Sequence, residues 1–297
     1  GFYSSSQLVQ DAIRHGVQVR AVDVTCSGWD CTLEPAGKAS LLPGFPGIRP
    51  AQSAVRLGLR LVSSLSDASA QRLLAARSQS PFTSTEDLAL RAQLGTLDIN
   101  ALAAADALTP LAGHRRQQVW QAAAIKPAPQ LLESVPTLEA ALILPDTPEG
   151  ENILFDYRAT GLTLRRHPLA LLRPRLALKG LLSASQLNAL PSGELVAACG
   201  LVTMRQQPQT AKGTIFISLE DETGPVNVIV WKSLRQRQRT EVLHARLLAV
   251  YGVWQRSEES GHDDQPGYGA VRNLIAHRLE DLTPLLGRLG TSSRDFH

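Results

Sequence analysis

The chain is short of several residue types, and each shortage removes a class of function. It holds three cysteines, Cys26, Cys31 and Cys199. Three cannot build a disulfide framework, and the C-x4-C pair has no second pair to complete a tetrahedral zinc site. A reduced, cytoplasmic chain is expected. No apolar run reaches 18 residues, so no membrane-spanning helix and no membrane partner are expected, and residues 1–16 lack the apolar core of a signal peptide. The only methionine is Met204, so residue 1 reads as a cut point. Aromatics make up 5%, which leaves Ala, Leu and Val to build the cores. Lysine is scarce: five of the 30 basic residues, at 38, 126, 179, 212 and 232, leaving 25 arginines. Guanidinium forks pair bidentately with phosphate and stack on bases, although a GC-rich genome produces the same excess. The net charge of +3 decides nothing. No D-x-D pair occurs, whereas two-metal phosphoryl transfer needs clustered carboxylates. The nearest substitute, Glu220-Asp221-Glu222, falls at a predicted turn and is expected to be solvated.

What is present falls into blocks. Ser4, Ser5 and Ser6 offer N-cap hydroxyls, Leu8, Val9, Ala12 and Ile13 follow at helical spacing, and Gly16 stands where a helix would end. A short strand follows from Val17. Prolines and glycines mark a loop over 35–54. Residues 55–124 read as all-helical, with N-caps at Ser66 or Asp67 and at Ser84, and short spacers that favour helical hairpins. Residues 126–160 read as a proline-punctuated linker with a short helix near 137–143, followed by a basic segment, "LTLRRHPLALLRPRLALKG" (162–180). Residues 194–282 hold five β-like runs, with the helix-like "KSLRQRQRTEV" between the third and fourth and a hairpin turn at "DETG" (221–224). That is the order of an OB barrel. The predicted fold class is therefore α+β multidomain.

Four stretches carry a resemblance. "GFYSSSQLVQDAIRHGVQVRAVDVTCSGWDCTLE", "AVRLGLRLV", "DYRATGLTLRRHPLALLR" and the terminal "SSRDFH" resemble the C-terminal part of bacterial C-family DNA polymerases. The last two match the damage-inducible, error-prone branch. The resemblance implies a layout: a small α/β fingers remnant over 1–50, an all-α tandem helix-hairpin-helix domain over 51–125, a linker with the basic segment over 126–189, a five-stranded OB-fold domain over 190–283 and a tail over 284–297. It implies a parent that performs DNA-templated DNA synthesis past lesions, with Mg2+ in a palm domain absent from this chain, which itself holds no cofactor. It also implies partners: duplex, single-stranded and primed DNA, a sliding clamp, an inactive Y-family-like polymerase subunit and a RecA-like accessory protein.

A helix hairpin presents backbone N–H groups at the second helix's positive N-terminus and grips phosphate without reading bases. The first candidate is Ser64-Leu65-Ser66, where the family has a G-h-G pattern. Loss of the glycines hinders close approach, and Asp67 puts negative charge where phosphate would sit. Arg72, Arg77, Arg115 and Arg116 are candidate phosphate contacts on the helices, and a second, less distinctive hairpin lies near Gly95-Thr96-Leu97. On the barrel, Phe216 and Trp231 are candidates for base stacking and Arg205, Lys212, Lys232 and Arg235 for phosphates, with Arg237 and Arg239 beside them. Strict alternation would expose Phe216; a bulge would bury it, and burial is the expectation. The alternating arginines at 235, 237 and 239 spread around a helix rather than forming one stripe. No chemistry is expected of His15, Asp23, Cys26, Asp30 and Cys31, which lack an oxyanion site and an orienting group. "QLNAL" (186–190) is too degenerate a clamp-binding peptide to use. The alternative function is a platform for protein partners with vestigial DNA contact; a free-standing enzyme has little support.

Overall fold

The computed structural model describes residues 4–35, 53–125, 144–211, 213–256, 272–287 and 294–295. The expected loop over 35–54, the short helix near 137–143, Lys212 and most of the tail lie largely or wholly outside these. The chain divides into two compact units, Gly1–Arg165 and Arg166–His297.

The first unit opens with α1 (Ser5–Arg14), capped by Ser4 through a reciprocal capping box with Gln7 and ended by His15. Gly16, with φ of 80°, takes the left-handed conformation that a side chain would resist. A three-stranded sheet follows, in which β1 (Val19–Arg20), β2 (Thr32–Glu34) and β3 (Ala54–Arg56) lie in the order β1-β3-β2. The helical domain comprises α2 (Asp67–Gln79), α3 (Thr85–Arg91), α4 (Thr96–Ala104), α5 (Thr109–Ala112) and α6 (Arg115–Ala124). Ser66 is the N-cap of α2 and accepts from Ser69 N; Ser84 caps α3 through Asp87 N. The Ser84 cap is not reciprocated, because the Asp87 carboxylate takes the N–H of Thr83 rather than that of Ser84. The core is aliphatic, as the scarcity of aromatics requires: Ala70, Leu73, Leu88, Ile99, Leu102 and Leu108 are fully buried.

The described end of the stretch expected to be linker holds a helix outside the predicted 137–143. Residues α7 (Glu149–Thr160) belong to the first unit, and Ala159 and Leu162 enter its core. The first hairpin leans on this helix, with Ser63 N donating to Ala159 O at 2.7 Å.

The second unit begins with α8 (Pro168–Leu178) and α9 (Ala184–Asn188). Its barrel comprises β4 (Leu195–Gln206), β5 (Ile215–Glu220), β6 (Pro225–Val230), two short helices α10 (Lys232–Arg237) and α11 (Arg239–His244), β7 (Leu247–Arg256) and β8 (Arg272–Asp281). A short β9 (Arg294–Asp295) adds in parallel to β4. The order β5-β6-β8-β7-β4 closes because β5 also pairs with β4, and β6–β8 is the single parallel pair within that closed ring. Closure removes the free edges of the five long strands. Val228, Val230, Leu248, Val250 and Leu274 alternate into the core.

Candidate nucleic-acid interface

Two hairpins in the first unit share one local design. In the first, Ser64 has φ of 69°, Leu65 is buried and Ser66 caps α2. In the second, Gln93 has φ of 50°, Leu94 is buried and Gly95 caps α4. Each is a left-handed turn residue, a leucine anchor and a helix start. The anchor pins the turn, and the turn presents a helix N-terminus. The sequence marked the first hairpin correctly but not the equivalence, because neither Ser64 nor Gln93 is a residue that signals positive φ. A left-handed backbone costs a non-glycine residue about 1–2 kcal/mol, partly offset by the larger unfolded-state entropy of glycine. Ser64→Gly is accordingly expected to stabilise the chain by about 0.5–1 kcal/mol in urea unfolding. It should not weaken DNA binding, since a smaller hairpin tip eases backbone approach.

The charges around the hairpins are largely turned inward. Asp98, in the first turn of α4, accepts from Gly95 N at 3.2 Å and from Ser69 Oγ of α2 at 3.0 Å. Arg72 donates through Nε to Ala92 O at 3.1 Å and through Nη2 to Gln93 O at 3.2 Å. It ties α2 to the second hairpin and is held by the protein's own carbonyls. Asp67 stands in the first turn of α2 as read from sequence.

Arg115 is corrected outright as a DNA contact. It is only 2% exposed. Its guanidinium donates to Asn152 O at 2.7 Å and to the Asp156 carboxylate. Asp156 also accepts from Thr163 Oγ1 at 2.6 Å, and Arg165 bridges Asp156 and Asp106. Residues of the "DYRATGLTLR" block thus form a buried ion network that joins α7 to α6. Arg116 is half-buried and donates to Pro145 O at 3.2 Å. Arg77 donates to Val24 O at 2.9 Å.

On the barrel, Phe216 is 38% exposed and Trp231 51% exposed, so the expected burial of Phe216 is overturned. The reason is register: β5 runs without a bulge, and the irregularity in this part of the sheet falls in β4 between Val202 and Met204. Phe216 pairs directly with Ile229 on β6. Trp231 lies two residues beyond Ile229 and so on the same side of the strand. Together they line an open cavity of about 560 Å³ with Thr214 and Lys232 at its border. Ile229 was missed from sequence, because only pairing reveals it as Phe216's neighbour. Lys232 is exposed and Arg235 half-buried. Arg205 is corrected: it is 7% exposed, with Nε donating to Val242 O at 2.6 Å and Nη2 to Ala245 O. It fastens α11 to β4.

The acidic turn after β5 is also corrected. Asp221 is 2% exposed, not solvated. It accepts from Ala184 N at 2.7 Å, Thr223 N at 2.7 Å, Gly224 N at 3.0 Å and Arg173 Nη2 at 3.1 Å. Burial opposes ionisation of Glu222, but the Arg173 guanidinium outweighs it and holds the carboxyl below its ordinary value. The basic segment therefore spends Arg173 on the barrel. "QLNAL" is folded into α9, with Leu187 buried and Gln186 closing a capping box on Ser183. His15 Nδ1 lies 2.9 Å from Asp11 O at the end of α1. Partial burial and Asp23 push the Cys26 thiol up, the reverse of an activated nucleophile. Among the described residues, no group of three His, Cys, Asp or Glu side chains could hold a metal ion, and no helix is long and apolar enough to cross a membrane.

Paired helix hairpins and a closed five-stranded barrel with an aromatic outer face define a helix-hairpin-helix and OB-like architecture of the DNA-binding class. The family model described as a helix-hairpin-helix motif matches residues 16–118. Over its full length, the chain is 50% identical to an error-prone DNA polymerase of Ralstonia nicotianae, covering 26% of that protein. It is 49% identical to one of Bordetella parapertussis (27% covered) and 46% identical to one of Methylococcus capsulatus (28% covered). The chain is thus homologous throughout to a region of the error-prone DNA polymerases, and the resemblance drawn from its motifs stands. It spans about a quarter of the length of these relatives. Among solved structures, the p204 HINb domain covers 36% of this chain and 49% of its own at a TM-score of 0.25 and 18% identity, a likeness too slight to bear on fold or function.

Proposed function

We propose that this chain is the DNA-holding, C-terminal region of an error-prone polymerase whose parent synthesises DNA past lesions. The hairpins hold duplex through helix N-termini, and the barrel holds single-stranded template. Nucleotidyl transfer and its Mg2+ belong to a palm outside this chain, which by itself is inactive. The observation that carries the reading is the pair of exposed aromatics, Phe216 on β5 and Trp231 just past the end of β6, either side of half-buried Ile229. Every base has a π-face, so two aromatics lining one open cavity take unpaired bases regardless of sequence. Lys232 and Arg235 follow Trp231 directly and offer charge to the backbone.

Trp231→Ala is expected to weaken single-stranded DNA binding by about 1–3 kcal/mol, roughly 5- to 150-fold, in a fluorescence titration at fixed salt. Because Trp231 is exposed, the melting temperature should stay near that of the parent sequence. Unchanged affinity would remove the barrel face from the DNA path.

One observation favours a second reading, in which the region chiefly docks the clamp, the Y-family-like subunit and the RecA-like protein. Arg72, Arg115 and Arg205 are engaged internally, and Asp67 and Asp98 stand at the hairpin helices. Capture of those partners together with failure to bind any DNA at low salt would decide for it.

A further inference from the structure

A second cavity, of about 350 Å³, opens in the first unit between the Asp23–Ser27 turn, the last turns of α2 and the segment before α3. Thr25, Leu74, Arg77, Ser78 and Phe82 line it. Arg77 lies ten residues from the start of α2, about 15 Å along the axis from the first hairpin. The cleft is therefore not the hairpin's phosphate contact.

Arg77 is unusual among the half-buried and buried arginines of this unit. Arg20 meets Glu34 at 2.6 Å, Arg56 meets Glu34 at 3.0 Å, Arg91 meets Asp87 at 3.2 Å, and Arg115 meets Asp156. Arg77 has no carboxylate within salt-bridge distance among the described residues, and Asp23 acts on it only from farther away. Its Nη1 donates to Val24 O, its remaining nitrogens are not buried orphans, and its side chain lines the cleft. Asp23, the nearest acid along the turn, gives Oδ1 to Thr25 N at 2.8 Å and Thr25 Oγ1 at 2.6 Å. The other wall is firm: Arg91 lies over the Phe82 ring at 4.9 Å from its centroid. A partly desolvated guanidinium with open donors and no carboxylate in contact with it is completed by an anion, and phosphate suits its fork.

We propose that the Arg77 cleft binds a phosphate group, supplied by the backbone of DNA or by a free nucleotide or inorganic phosphate. Burial lowers the Arg77 pKa from its ordinary value, in keeping with a cation lacking a partner, yet the group stays charged at neutral pH. The DNA source rests on the function proposed above; the site itself does not.

Cys26 is a built-in reporter, exposed and electrostatically coupled to Arg77. Cys199 is buried, with its thiol pushed up to about 12, and stays unreactive. The full chain carrying Cys31→Ser is alkylated with and without inorganic phosphate, at ionic strength matched with chloride. Phosphate is expected to slow Cys26 alkylation, chloride is not, and Arg77→Gln should lose the protection while keeping the circular-dichroism spectrum. In parallel, Arg77→Gln should reduce the slope of log DNA affinity against log salt by about 0.9 on duplex or 0.7 on single strands if DNA is the source. An unchanged slope with protection by phosphate and a nucleoside monophosphate assigns the cleft to a free ligand. If neither phosphate nor monophosphate protects Cys26 and the slope is unchanged, the proposal is overturned. Should Arg77→Gln not fold, the titration of the Cys31→Ser chain decides alone. Absence of all DNA binding by a chain whose Cys26 is protected would remove the proposed function and leave the cleft standing.

Discussion

Asp156→Ala is expected to destabilise the chain by about 3–5 kcal/mol, read from the first transition in urea, and the loss should greatly exceed that of any exposed arginine. The carboxylate faces an Arg115 guanidinium that is 2% exposed, and it accepts from Thr163 Oγ1 as well. Its removal leaves a buried cation whose nearest remaining acid is Asp106, at 3.9 Å from Arg115 Nη2. Breaking one side of such a pair costs more than the pair contributes, because the remaining charge keeps its desolvation penalty. Arg115→Met in the same background should recover part of the loss, since it removes the stranded charge and keeps the volume. The consequence reaches the candidate interface. The helix that carries Asp156 also supplies Ala159 O to Ser63 N, at the base of the first hairpin. A loosened α7 should therefore lower duplex affinity without any DNA contact being deleted. If Asp156→Ala is as stable as the parent sequence, the buried network is not what holds α7.

Asp221→Ala should be of similar size, about 3–5 kcal/mol, and confined to the second unit. Three backbone N–H groups, of Ala184, Thr223 and Gly224, lose their acceptor at once in a site that is 2% exposed, and the Arg173 guanidinium loses one of its two carboxylates, keeping Glu222. Water cannot replace the carboxylate without opening the β5–β6 turn. The neighbouring Glu222 adds a pH signature. Its folded carboxyl is held below its ordinary value of 4.5, so it contributes stability that is present above that value. That contribution is lost as pH falls through the lower, folded value. Arg173→Ala should remove this portion of the acid sensitivity, so the two proteins converge in stability as the pH is taken well below 4.5. A constant difference between them down to strong acid would show that Arg173 acts through packing of its stem alone.

Much of the architecture was legible because it is local. Ser4, Ser66 and Ser84 cap the helices their spacing announced, and Gly16 ends α1 as its position suggested. The five β runs with a helical break translate directly into the barrel, because alternation and turn residues act over a few positions. What failed was the use of charge. Arg115, Arg205 and Arg173 look from sequence like any of the other arginines. Their partners lie 37 to 49 residues away along the chain, at Asn152 and Asp156, at Val242 and Ala245, and at Asp221 and Glu222. No local pattern distinguishes an arginine that meets a buried carboxylate from one that meets solvent.

The sequence by itself pointed to the likeness to error-prone DNA polymerases, the order of helical and β segments and the position of both aromatic candidates, since long motifs, periodicity and turn chemistry are properties of neighbours in the chain. Tertiary structure alone decided which cations are free. It turned Arg115, Arg173 and Arg205 inward, tied Arg72 to the backbone of the second hairpin, and left Arg77 without a carboxylate at salt-bridge distance beside an open cleft. It also settled Phe216, whose exposure depends on where a bulge falls in the pairing of β4 with β5. The physical reason is the same in each case: the cost of a buried charge and the side on which a strand residue emerges depend on what lies across the fold, and that is set only when the chain has closed.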